Sequence, residues 1–275
     1  MVKKILFLLV FFLSLQANDK ELLHQKIKEI VSLDSYEQNK AYIGIVFSPE
    51  DNFVKNGRVD IIKIVKTLKD NGLLDLFFDK PTEIELVFKT NGTPLFFVKI
   101  LEDTLRNIGY YRFVTKSASY NNSEFNWDVG VVSEYATDPI ILQKELAKSN
   151  CKIVDIKRET PTKWIYTIDI SNASMDVKKL NNQEEVSLKR SLSPYWLNIS
   201  KIRKLHVISR GRNNWYPDIS FFDAMLHLVK VIQIDKKTKN LNLKMPKTAK
   251  YIKISDIYTM KNIKDRLVLK PSGVR

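Results

Sequence analysis

The sequence predicts an α+β chain, with repeated helix-strand-strand units followed by a C-terminal all-β sandwich. Three observations predict it. Two helix starts pair a capping residue with a proline, at Thr93-Pro94 and Asp138-Pro139, a combination that satisfies an open N–H and presets the first helical φ. Each of these helices is followed by two apolar runs of strand length. In the last third, turn signals recur about every eight to twelve residues with no helical period between them, which is the spacing of a sandwich.

The elements follow in order. Met1 to Ala17 reads MVKKILFLLVFFLSLQA. Lys3 and Lys4 precede an apolar run from Ile5 to Leu13, and Ser14, Gln16 and Ala17 follow it. A run of about nine residues is well short of the roughly 20 a spanning helix needs. This order is that of a cleavable signal peptide, with cleavage expected after Ala17. The expected address is therefore the periplasm or the exterior. Glu21 to Leu33 has apolar residues near helical spacing, and Tyr42 to Phe47 reads as a strand ending at Ser48-Pro49.

The first helix-strand-strand unit starts with a helix from Val59 to Asp70, stopped by Asn71-Gly72 in the manner of a glycine C-terminal cap. Strands are expected at Leu73–Phe78 and Glu83–Lys89, parted by Lys80-Pro81. In the second unit Thr93 is expected to cap a helix ending near Ile108-Gly109, with strands at Tyr110–Lys116 and Phe125–Ser133. In the third, Asp138 caps a helix ending near Asn150, with strands at Lys152–Arg158 and Lys163–Ile170. The order from Glu83 to Ile170 resembles a ferredoxin-like module, the split βαβ layout with helices on one face of the sheet. Such a module has hosted many functions, so the likeness implies a fold and no chemistry.

Strands are then expected at Leu197–Ser209, Ile219–Asp223, Leu226–Ile234, Leu241–Lys244, Tyr251–Ile257 and Arg266–Leu269. The run Ile219-Ser220-Phe221-Phe222-Asp223, with Leu241-Asn242-Leu243, Pro246 and Ala249 to Ile254, resembles the later strands of galactose-binding-like jelly rolls. That likeness covers about 40 residues, and it implies a binding module without transferring any ligand motif.

Charge divides the chain. The 275 residues carry 45 Lys and Arg against 31 Asp and Glu, a formal net charge of +14. Residues 181–275 hold 20 of the basic residues and 7 of the acidic ones, a net +13, while the rest is close to neutral. A compositional bias toward lysine would spread along the chain, so this asymmetry points to an anionic partner. The polar stretch Lys178 to Glu185 supports a boundary near residue 180. The expected organisation is thus a signal peptide at 1–17, an N-terminal α/β segment at 18–80, a ferredoxin-like domain at 81–180 and a basic β-sandwich at 181–275.

Candidate chemistry is sparse. There is no G-x-S-x-G elbow, H-E-x-x-H pair, phosphate loop or G-x-G-x-x-G turn. There are 8 glycines, 3 histidines and 1 cysteine, which excludes an internal disulfide or a cysteine-rich metal site. No cofactor and no metal are expected. Cys151 reads as a buried structural thiol. The binding candidate is the segment with Arg203 and Lys204, then Arg210, Gly211, Arg212, Asn213, Asn214, Trp215 and Tyr216. Arginine contacts carboxylate or phosphate with two N–H groups, asparagine supplies amides, and aromatic faces stack on sugars. The opposing expectation is a connecting loop with its aromatics in the core. The enzyme alternative is an envelope hydrolase using His206 and His227 with Asp218 and Asp223, residue types that hold zinc or a general base.

The export address disfavours nucleic acid as the partner. The expected function is non-enzymatic. The basic β-domain would bind an acidic glycan, peptidoglycan, lipid head groups at a membrane surface, or an acidic protein. A third alternative is a scaffold subunit of a periplasmic assembly.

Overall fold

Helix α1 spans 19–31 in the computed structural model, which describes residues 19–121 and 123–275. The expected signal peptide at 1–17 lies outside the described residues. The chain divides into two units, the first ending at Ala173 and the second running Ser174–Arg275.

In the first unit α1 buries Leu23, Ile27 and Ile30 completely, residues spaced by four and three along one helical stripe. Helices α2 (Leu33–Gln38) and α3 (Lys40–Val46) follow. The apolar run from Tyr42 to Phe47, expected as a strand, is therefore helical. The reason is visible in its burial. Ile43 and Phe47 are buried at a spacing of four, whereas Ile45 is 73% exposed, so one helical stripe and not alternate residues faces inward. A short hairpin of β1 (Val54–Lys55) and β2 (Arg58–Val59) turns at Asn56-Gly57, where both φ angles are positive. Helix α4 (Ile61–Asp70) starts where the Asp60 side chain accepts from the Lys63 N–H, and it buries Ile61, Ile64, Val65 and Leu68.

The central element is a five-stranded sheet of β3 (Phe77–Thr90), β4 (Val114–Asn121), β5 (Glu124–Tyr135), β6 (Lys152–Thr160) and β7 (Lys163–Asp169), ordered β4-β5-β3-β7-β6. Of the strand expected at Leu73–Phe78 only Phe77 and Phe78 are extended, 73–76 being loop, and they run on through Lys80-Pro81 into the expected Glu83–Lys89 strand as one strand with an irregularity. Phe77 pairs with Tyr135 and the ladder resumes at Thr82 with Ser133. Proline lacks the N–H a ladder needs, so it sits where the register shifts. Strands β3 and β4 run parallel with β5 antiparallel between them, which is a split βαβ arrangement. On the other side β3 pairs in parallel with β7, and β6 adds an outer strand. Helix α5 (Pro94–Asn107) joins β3 to β4, and α6 (Pro139–Ala147) joins β5 to β6. Asp138 caps α6 by accepting from the Ile140 N–H. Thr93, expected to cap α5, makes no side-chain cap bond, so Pro94 and the extended backbone of Thr93 start that helix.

The second unit contains two four-stranded antiparallel sheets packed as a sandwich. One is ordered β13-β10-β15-β8, from β8 (Val186–Lys189), β10 (Ile202–Arg210), β13 (Asn240–Lys244) and β15 (Arg266–Val274). The other is ordered β12-β11-β14-β9, from β9 (Tyr195–Asn198), β11 (Pro217–Phe222), β12 (Leu228–Gln233) and β14 (Tyr251–Asp256). The single strand expected over Leu197–Ser209 is two, because the chain passes from one sheet to the other at Ile199 to Lys201. Leu205, Val207, Trp215, Ile219, Phe221 and Ile252 form the centre of the core between the sheets.

Candidate functional site

The segment from Arg203 to Tyr216 divides into residues that hold the fold and residues that face outward. Trp215 has no exposed surface and its Nε1–H donates to the Ser255 carbonyl at 2.8 Å. Asn213 is 4% exposed. Its Oδ1 accepts from the Asp265 N–H at 2.7 Å, and its Nδ2 donates to the Arg266 carbonyl at 2.9 Å. The amide of Asn213 and the indole of Trp215 are thus engaged inside the protein. Tyr216 is half-buried, edge-on to Tyr258 at 5.2 Å, with its N–H donating to the buried Asp256 carboxylate. Asn214 is half-buried and its N–H donates to the Asn262 carbonyl.

Gly211 lies between the two arginines with φ +72, and a Cβ there would come within 2.2 Å of Asp265 Oδ2. Both facts favour glycine there. The close approach lets Arg212 reach Asp265, its N–H donating to Oδ2 at 2.7 Å and its guanidinium to Oδ1 at 3.3 Å. These bonds hold the Asp265 carboxyl below its ordinary range.

Arg210 and Lys204 belong to a different surface. Partners in an antiparallel ladder project to the same face. On β10 the core takes Leu205 and Val207, so Lys204, His206, Ile208 and Arg210 point outward. The register then builds the rest of this face. Lys204 neighbours Lys244 and Ser272, His206 neighbours Asn242 and Lys270, and Arg210 neighbours Arg266, which in turn pairs with Lys189. Six cations therefore share the outer face of the β10 sheet, and all six are exposed. Among the described residues, Lys270 alone of the six has an ion-pair partner, Glu185 at 3.3 Å. The register sets them in two groups of three, Lys204, Lys244 and Lys270 toward one end of the face and Lys189, Arg210 and Arg266 toward the other, with Ile208 and Val268 on the row between. Within each group, neighbouring strands lie about 4.8 Å apart. Arg203 is exposed at the end of the sandwich, beside Gly273.

The outer face of the β11 sheet contrasts with it. There Asp218 neighbours Gln233 and Ser255, Ser220 neighbours Val231 and Lys253, and Phe222 neighbours Leu228 and Tyr251. Trp196 lies beside Lys253 and stacks at a tilt on Phe222 with ring centres 5.0 Å apart. Lys253 is the one cation among these strand positions.

The two histidines and two aspartates of the hydrolase alternative do not come together. His206 and Asp218 lie on opposite outer faces of the sandwich. His227 pairs locally with Asp223, Nδ1 to Oδ2 at 2.9 Å, in an exposed turn. Burial pushes the Asp223 carboxyl up, but the His227 ring and the N–H groups of His227 and Met225 outweigh this and lower it. Among the described residues no group of three or more metal-binding side chains gathers.

Cys151 is 2% exposed, and burial, with Asp169 adding, pushes its thiol up to about 12. That is the environment of an inert structural cysteine. The first unit also holds a cleft of about 630 Å³, with Phe77, Tyr135 and Ile141 exposed on its wall and Tyr110 and Lys69 among its polar lining. None of the sequence-derived candidates lines it. No helix among the described residues is long and apolar enough to cross a membrane. No protein-family model and no curated protein matches this sequence.

Proposed function

We propose that this is an exported, non-enzymatic protein of the cell envelope whose C-terminal β-unit binds an anionic component. One observation carries the reading. Six exposed cations share the outer face of the β10 sheet, with Glu185 the one carboxylate paired there. A surface of like charges does not stabilise the fold that carries it, because neighbouring cations repel. It gains its favourable energy when an anion covers it. The likeness of the later strands to galactose-binding-like jelly rolls supports a binding module, and the signal-peptide pattern supports an envelope ligand, whether an acidic glycan, lipid head groups or an acidic protein.

Retention of the full mature chain on a heparin column tests this. Elution should require well above 0.15 M salt, the strength at which charges are already screened beyond about 8 Å. The triple variant Lys204→Glu, Lys244→Glu and Arg266→Glu should elute without retention while keeping its melting temperature. A control with equal charge change, Lys237→Glu, Lys247→Glu and Lys264→Glu, all outside strands, should remain bound. If both variants lose retention equally, net charge and not this face is responsible, and the reading fails.

A further inference from the structure

An edge strand offers unpaired N–H and C=O groups to any chain that can lie beside it, and proteins usually cover or charge such edges. Three edges here are treated in that way. The edge of β9 already receives the segment around Lys179, with the Leu180 N–H donating to the Asn198 carbonyl and the Asn198 N–H to the Lys178 carbonyl. At the start of β6 the Gln143 side chain accepts from the Ile153 N–H and donates to the Cys151 carbonyl. The outward residues of β13 are Asn240, Asn242 and Lys244.

Strand β12 differs. Its sequence is LVKVIQ, with Leu228 59%, Val229 36% and Val231 42% exposed, and it holds one charge and no proline. It pairs with β11 alone, at the end of its sheet. The Ile234 N–H donates to the Pro217 carbonyl at 2.9 Å. Antiparallel alternation then turns the N–H and C=O of Ile232 and Lys230 toward β11, and those of Val231 and Gln233 toward the open edge.

We propose that the open edge of β12 takes an extended segment of an acidic protein as an added strand. The charge around the strand argues for this occupant. Lys230 lies within it and Lys236, Lys237 and Lys239 follow it. The nearby Asp223 and Asp235 are engaged by His227 and by the Tyr258 hydroxyl. A second copy of this chain would bring a unit of the same strong positive charge against it. The added strand would set aliphatic residues on the face of Val231 and carboxylates on the face of Lys230, with main-chain bonds supplying affinity and side chains supplying selectivity. The inference rests on the anionic-partner reading for the partner's sign of charge alone.

The probe is a blocked, fluorescently labelled nonapeptide of alternating glutamate and valine, titrated into the full mature chain. Val231→Pro removes an edge N–H while leaving the bonds to β11 in place, and Val231→Thr restores that N–H. Wild type and Val231→Thr should bind the peptide, Val231→Pro should bind at least tenfold more weakly, and amide exchange should slow at Val231 and Gln233. Equal binding by Val231→Pro, protection on the β10 sheet in place of β12, or equal binding of the glutamine-for-glutamate peptide overturns the proposal. So does a wild-type dimer in sedimentation that Val231→Pro dissolves, which would make the second copy the occupant. Heparin retention is read on the same samples. Retained heparin binding with no peptide binding sinks the strand proposal alone, whereas loss of both in wild type removes the anionic-partner reading with it.

Discussion

The two units place their charges in opposite ways. On the open face of the five-stranded sheet, cations and carboxylates are interleaved. Glu85 lies 2.7 Å from Lys163 and 3.6 Å from Lys116, Lys116 also reaches Glu83 at 2.8 Å, and Lys163 reaches Glu159 at 3.4 Å. The hydrogen bond from Lys163 leads in holding the Glu85 carboxyl below its ordinary range. On the β10 sheet six cations stand together with one paired carboxylate. The difference teaches that lysine content by itself says little. Interleaved charges are satisfied within their own sheet, whereas segregated ones are not.

The largest effect should come from the core beneath the cationic face. Trp215→Ala removes a fully buried indole from between the sheets and leaves the Ser255 carbonyl without its donor. Loss of about 3–5 kcal/mol is expected, read by denaturant unfolding of the C-terminal unit. A loss under about 1 kcal/mol would mean the indole is not part of the core and would restore it as a ligand platform. Next is the cationic face itself, where charge reversal should move heparin elution strongly and stability little.

A smaller effect is expected at Asp128 on the open face of the first sheet. Its Oδ1 is buried without a hydrogen-bond partner. Burial raises its carboxyl above the ordinary value, with Glu85 adding and Lys116 and Lys163 opposing. A carboxyl raised in the folded state contributes stability when protonated, and that contribution is lost as pH rises through the folded value. Asp128→Asn should therefore raise the melting temperature at pH 7, by the equivalent of about 1 kcal/mol or less, and the gain should shrink toward pH 4. A gain that is constant with pH would exclude the titration. The smallest effect should be at Cys151, where a thiol reagent at pH 8 should label the native chain negligibly and the unfolded chain fully. Fast native labelling would contradict its burial.

Much of the fold was legible because local signals agreed with the tertiary outcome. Asp138-Pro139 marks a cap that forms, and β11 to β15 of the sandwich fall close to where apolar alternation and turns place them. The run from Tyr42 to Phe47 misled because β-branched residues favour strands, while the choice between alternate and fourth-residue burial is made by tertiary packing. Asn56-Gly57 is a hairpin signal that flanking strands of only two residues conceal, and β8 hides beside the polar stretch before it. The candidate site was half legible. Residue types identified Lys204 and Arg210, but only strand register shows that Lys244, Arg266, Lys270 and Lys189 join them, since the strands that carry them are distant in sequence. Asn213 and Trp215 have side chains suited to a ligand, and these are occupied by backbone groups across the sandwich.

The approach of Gly211 to Asp265 has an evolutionary consequence. The two positions stand more than fifty residues apart in the chain yet share one space, and a Cβ at 211 would displace the carboxylate that binds Arg212. Shortening residue 265 would clear the space but leave the left-handed backbone, which asparagine or aspartate tolerates best after glycine. In related sequences the two positions should therefore vary as a pair. Either both are kept, or asparagine or aspartate at 211 is accompanied by a smaller residue at 265 and a changed residue at 212.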